Sequence, residues 1–234
     1  MFIFHISYFH CFNLFARLHF KGNKVEATHG LVLMLGGIFT RWKQLVGYYL
    51  TPNGFDGAKL KPIIEKIIRK AESIGLYVHS TTSDIGGVNQ AMWRSFENIS
   101  ASRYGEIINS ISHPVDDSRR LFFFADGPHL LKNLRVCLIN NKIILLPEKF
   151  IETLELSSDI VQFEHLKELV AEQKDYHFKL VPKLHENVIK TTTFNKMKVN
   201  MATNMLNRNV SGALNYLDQE NNNKCMKQQQ NLLK

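Results

Sequence analysis

A chain of 234 residues has room for one domain, or for one domain and part of another, and its 44% hydrophobic content suffices for a packed core. The 29 Lys and Arg against 21 Asp and Glu leave a formal charge of +8. That balance favours polyanions such as nucleic acid or nucleotide phosphates without requiring them. Cys11, Cys137 and Cys225 are odd in number and far apart, which argues against a disulfide framework or a zinc finger and fits a reducing compartment.

The first twenty residues, "MFIFHISYFHCFNLFARLHF", are apolar but interrupted by three His, an Asn and an Arg. With no basic leading region and no small-residue cleavage site, they read as a buried strand or an ill-defined terminus rather than a signal peptide or membrane span. "LVLMLGGIF" and "QLVGYYL" follow as two apolar runs joined by "TRWK", which predicts a strand pair with a short turn. "TPNGFDG" breaks the pattern. Leu60, Ile63, Ile64, Ile67, Ile68, Ala71 and Ile74 then recur at helical spacing, and Gly75 closes the helix.

"LYVHSTT" predicts a further strand, "GGVNQAMWRSF" a second helix and "LFFFA" a buried strand leading into a third helix. This order, strands with helical crossovers, implies an α/β sheet containing parallel pairs. Trp42 and Trp93 are expected in the core. From Pro147 the texture is helical, with Met197, Met201, Met205 and Leu206 spaced for one packed face. The final stretch is Asn/Gln-rich and polar.

Two carboxylates, Asp84 in "TTSDIGGVN" and Asp126 in "FFFADGPH", stand at the C-terminal ends of candidate strands, where ligands gather in open α/β sheets. Each fits either a helix cap or a Mg²⁺ ligand. His129 reads as a ligand, a base or a structural turn residue. Lys132 and Arg135, three apart on one helix, suit phosphate contact or a solvated face. "DIGG" is no phosphate loop, and no GxxxxGK[ST] occurs.

"LVLMLGGIFTRWKQLVGYYL", "TSDIGGVNQAMW", "SHPVDDSRRLFFFADGPHLLKNLR" and "YHFKLVPKL…NKMKVNMATNML" occur in the order found in P-element transposases and their THAP-domain relatives. The chain resembles that family over about residues 31–217. The resemblance implies an RNase H-like mixed sheet flanked by helices, followed by a mostly helical, partial GTP-binding insertion domain. The implied organisation is a divergent segment 1–30, an incomplete core 31–150, the start of the insertion at 151–217 and a polar tail 218–234.

The family's activity is Mg²⁺-dependent DNA cleavage and strand transfer by three acidic residues. One lies on the first strand, one after the fourth strand, and a glutamate follows the insertion. Asp84 matches the second acid and is the implied metal ligand; Asp126 is the weaker catalytic candidate. Lys179 and Leu180 in "HFKLVPKL" are the implied nucleotide contacts, and Lys132 and Arg135, from their spacing, are the candidate nucleic-acid contacts. Expected partners are DNA, GTP and a second copy of the chain, with no membrane, and the expected location is the nucleus.

The chain departs from the pattern at the first acid, because no Asp or Glu precedes Glu26. The zinc-binding THAP module and the final glutamate also lie outside it. A two-ion site without one of its acids is under-neutralised, so the expectation is a truncated or domesticated copy, inactive alone. The alternative is a non-catalytic DNA- or GTP-binding module.

Overall fold

The computed structural model describes residues 2–10, 17–20, 23–26, 28–97, 99–100, 106–156 and 158–221. They form two compact units, Met1–Asp126 and Gly127–Lys234. The division between the units falls directly after Asp126.

In chain order the first unit contains β1 (Phe2–His10), β2 (Arg17–Phe20), β3 (Asn23–Glu26), β4 (His29–Gly37), β5 (Lys43–Thr51), α1 (Leu60–Glu72), β6 (Val78–Ser83), α2 (Gly87–Ser95), β7 (Ser110–Ser112) and β8 (Arg120–Ala125). Six strands join in one sheet in the order β5-β4-β1-β6-β8-β7, while β2 and β3 pair only with each other. β1 runs antiparallel to β4 and parallel to β6, β6 runs parallel to β8, and β7 closes the edge antiparallel. The apolar N-terminal segment is thus a central strand, and "SIS" is a short edge strand that its composition did not reveal.

Helix α1 forms because its apolar residues recur every three or four positions, so Leu60, Ile64, Ile68 and Ala71 lie on one buried face. Asp56 Oδ1 accepts the Ala58 N–H at 3.0 Å in the 3₁₀ turn that leads into it. At the other end Leu76 N donates to Ala71 O and Gly75 N to Glu72 O. This Schellman closure needs the left-handed φ of +81° that Gly75 adopts.

The buried face of α1 meets Leu31, Leu33, Leu121 and Phe123 of the sheet, with Met92 and Phe96 contributed by and just after α2. Each such side chain, fully buried, stabilises the fold by about 1.5–3 kcal/mol. The "LFFFA" strand is not buried throughout. Leu121 and Phe123 enter this core, whereas Phe122 and Phe124 stack at 6.3 Å on the opposite, exposed face. Alternation of side chains across a pleated strand produces that split. Trp93 packs against the core as expected. Trp42 does not: it is 37% exposed at the tip of the β4–β5 hairpin.

The second unit contains α3 (Gly127–Asn141), β9 (Ile143–Leu145), α4 (Glu148–Leu154), β10 (Ile160–Gln162), α5 (Glu164–Glu172), α6 (Val199–Met205) and α7 (Arg208–Asn221). The stretch read as continuous helix from Glu148 is broken by β10, which pairs antiparallel with β9. β-branched Ile160 and Val161 favour the strand. Its core joins Leu138, Phe163, Leu166, Val188, Met205 and Leu214. Of the expected methionine face, Met205 is buried, Met201 and Leu206 pack against the core, and Met197 is exposed.

Candidate functional site

Parallel pairing fixes the two candidate acids relative to each other. Ser83 of β6 is the register partner of Ala125 of β8, and Asp126 N donates to Ser83 O at 2.8 Å. Asp84 and Asp126 therefore follow paired residues, at the C-terminal ends of adjacent strands. This is the edge where an open α/β sheet presents ligand-binding loops.

Asp84 is half-buried and shapes its own turn. Its Oδ1 accepts the Gly86 N–H at 2.8 Å and the Asn89 Nδ2–H at 2.9 Å. Gly86 allows this closeness, since a Cβ there would stand 2.9 Å from Asp84 Oδ1. Asn89 is buried, and its Oδ1 has no partner among the described residues. One oxygen of Asp84 thus ties the start of α2, as a helix-entry carboxylate does. Asp126 and His129 are both half-buried at the β8–α3 turn.

A two-ion site needs several oxygen donors converging on the same point. Among the described residues no three or more His, Cys, Asp or Glu side chains converge in that way. The central strand β1, "FIFHISYFH", carries no Asp or Glu at all. The donors among the described residues do not fit the two-Mg²⁺ centre that the resemblance implies.

Behind the sheet lies a charged knot that sequence reading missed. Glu72, whose side chain is 5% exposed, takes Arg119 Nη2 at 2.7 Å and Nη1 at 3.2 Å, and its Oε1 accepts the Val78 N–H at 2.8 Å. Burial raises the Glu72 carboxyl, but the Arg119 and Val78 donors outweigh it and hold the group below its ordinary value. The buried His113 donates from Nε2 to Val78 O at 2.9 Å and accepts the Val115 N–H on Nδ1. Desolvation and the nearby Arg119 keep its imidazole below its ordinary value. The separation of 47 residues between Glu72 and Arg119 left no local signal to find the pair by.

In the second unit, the candidate phosphate contacts divide. Lys132 is half-buried on α3. Arg135 is 1% exposed: Nε and Nη2 donate to Val188 O at 3.0 and 2.8 Å, and Nη2 also reaches Lys190 O at 2.9 Å. It is a loop clamp rather than a surface phosphate contact. The spacing of three puts both side chains on one side of α3, but Arg135 is buried there with Leu138 and Ile139 and its charge is spent on the loop carbonyls.

Asn195 holds the same loop, donating to Asn187 O and Lys190 O and accepting the Thr192 N–H. Lys179 is exposed, whereas Leu180 packs against the core of this unit. Their loop is closed by the buried Gln173, which donates to Leu184 O at 2.7 Å and accepts the Val181 N–H at 2.9 Å. The loop sequence offers an exposed cation but no glycine-rich phosphate cradle, so Lys179 fits a single phosphate contact and Leu180 a packing role.

The chain matches two domain families, the TNP-like, RNase H N-terminal domain over residues 9–97 and the TNP-like, GTP-binding insertion domain over residues 128–232. The chain belongs to the P-element transposase family. It is 27% identical over 194 residues to the human "DNA transposase THAP9" and 28% identical over 178 residues to the Drosophila melanogaster "Transposable element P transposase". These alignments cover 82% and 76% of this chain but only 20% and 21% of those relatives.

The fold is shared with a solved structure, "Drosophila P element transposase strand transfer complex", at a TM-score of 0.69 and 19% identity, over 93% of this chain and 45% of that one. The RNase H-like sheet of this transposase-family chain is therefore as the resemblance implied. The first family match begins at residue 9, inside the segment that the sequence reading set aside as divergent.

Proposed function

We propose that the chain is a DNA-binding piece of a P-element-type transposase that does not cut DNA by itself. The observation that carries this reading is the RNase H-like sheet whose central strand β1 lacks a carboxylate, beside Asp84 with one oxygen committed to Gly86 and Asn89. Asp84 keeps the position of a family acid, and Asp126 is at most a neighbour of that site. A single carboxylate does not neutralise two divalent ions, so strand transfer belongs to a fuller set of acids.

DNA is the partner, supported by the formal charge of +8 and by the structural relative, which is a transposase strand transfer complex. The nucleus is the compartment where a DNA partner is met. No helix among the described residues is long and apolar enough to cross a membrane. A guanine nucleotide is the second ligand, supported by the match to the GTP-binding insertion domain, with Lys179 meeting phosphate. Self-association belongs to the same reading.

Binding of a labelled DNA duplex at a series of salt concentrations tests the proposal. Phosphate contacts release counterions, so log K should fall linearly with log salt. Binding that is absent even at low salt would remove DNA as the partner. For the nucleotide, a fluorescent GTP analogue should bind and Lys179→Ala should weaken it.

A further inference from the structure

The tip of the β4–β5 hairpin carries a feature that neither the acids nor the nucleotide reading uses. β4 and β5 are joined by Ile38–Trp42, and Gly37 N donates to Trp42 O at 2.9 Å to close the turn. Phe39 is 84% exposed and Trp42 stands beside it, partly open to solvent. Between them in sequence is Arg41, and Lys43 follows; both are exposed.

These four residues line a cleft of about 1060 Å³ together with Met34 of β4 and Thr82 of β6. Among the described residues no acidic side chain lines it. Another cleft of the same unit, by contrast, sets Glu65 and Glu97 among its cations.

We infer that this hairpin tip binds unpaired nucleotides of a DNA strand, bases stacking on Phe39 and Trp42 and phosphates meeting Arg41 and Lys43. The inference rests on the DNA-binding reading above and adds the form of DNA and the place where it is held. Phe39, 84% exposed, and Trp42, 37% exposed, line the same cleft as two cations, and it is this grouping of aromatic rings and positive charge that marks an interaction site. A nucleobase offers a π-face, and two cations beside the rings meet the strand's backbone. Paired duplex hides its base faces, so an unpaired segment fits this cleft and a duplex does not.

The experiment uses the full chain, a fluorescein-labelled oligodeoxythymidine and a blunt duplex of equal length, read by anisotropy and by tryptophan emission. The oligonucleotide should bind more tightly than the duplex and quench tryptophan emission. Phe39→Ala should weaken it roughly 5- to 150-fold, the range for loss of one base stack, while leaving the circular dichroism spectrum unchanged. Arg41→Gln with Lys43→Gln should lower the salt slope for the single strand by about 1.4.

Equal affinity of Phe39→Ala and the parent chain would overturn the inference, as would a single strand that binds no better than duplex. If duplex binds and the single strand shows no preference, the DNA-binding reading stands and the hairpin assignment falls. If neither binds, both fall. Quenching that is reproduced by an unrelated peptide, with no response to oligonucleotide, would show that the cleft takes protein instead.

Discussion

Asn89 Nδ2 lies 2.9 Å from Asp84 Oδ1 and is buried while donating to it. The acid that the family order marks as catalytic is therefore held by an amide from the first turns of the following helix. Asn89→Ala removes that donor and should destabilise the chain by about 1–2 kcal/mol in urea unfolding. Asp84→Asn can keep an acceptor for the Gly86 N–H and should cost less. An Asp84→Asn loss larger than that of Asn89→Ala would contradict the arrangement.

The Glu72–Arg119–His113 knot predicts acid sensitivity. Glu72 and His113 both have lowered folded values, so in each case the unfolded chain binds the proton more readily. The contribution of His113 is present above about pH 6.5 and is lost as pH falls through its lower folded value; Glu72 adds a second loss below about pH 4.5. Asp116, also lowered by its bonds to Ser118 and Arg119, works in the same direction at still lower pH. Denaturant midpoints should fall steadily from pH 7 to pH 4. His113→Gln should flatten the upper part of that fall, and an unchanged profile would show that the imidazole titrates as it does in the unfolded chain.

Lys132 and Arg135 should separate cleanly in experiment. Arg135→Ala leaves Val188 O and Lys190 O without their charged donor and should cost about 2–4 kcal/mol of stability. Lys132→Gln should leave stability nearly unchanged and, on the DNA-binding reading, lower the duplex salt slope by about 0.9. The two substitutions having the same effect on stability would contradict the buried position of Arg135.

Gln173 uses both ends of its amide between Val181 and Leu184. Gln173→Ala should destabilise by about 2–4 kcal/mol, since a buried donor and a buried acceptor lose partners together. Gln173→Glu should be worse at neutral pH, because a carboxylate would face the Leu184 carbonyl. Thermal unfolding measures both.

The order β4, β5, α1, β6, α2 and β8 was legible because periodicity and turn residues act locally, as the α1 stripe and Gly75 show, whereas the β2–β3 pair and the three-residue β7 were not. The position of Asp84 followed from the strand before it. The second unit was harder to read. β9 and β10 are three residues each, too short for a pattern, and β10 was swallowed by flanking helix-formers. Arg135 misled because a charged residue was assigned to solvent, while loop carbonyls more than 50 residues away receive it. Trp42 misled in the opposite direction, since size alone suggested burial and the hairpin tip exposes it. Long-range partners decide such residues, and one sequence does not display them.

The most direct measurement is nicking of supercoiled plasmid by the purified chain in Mg²⁺ and in Mn²⁺, with Asp84→Asn alongside. With no carboxylate on β1, the parent chain should nick no more than the variant in either metal while still binding the plasmid. Metal-dependent nicking by the parent chain that Asp84→Asn abolishes would contradict the account.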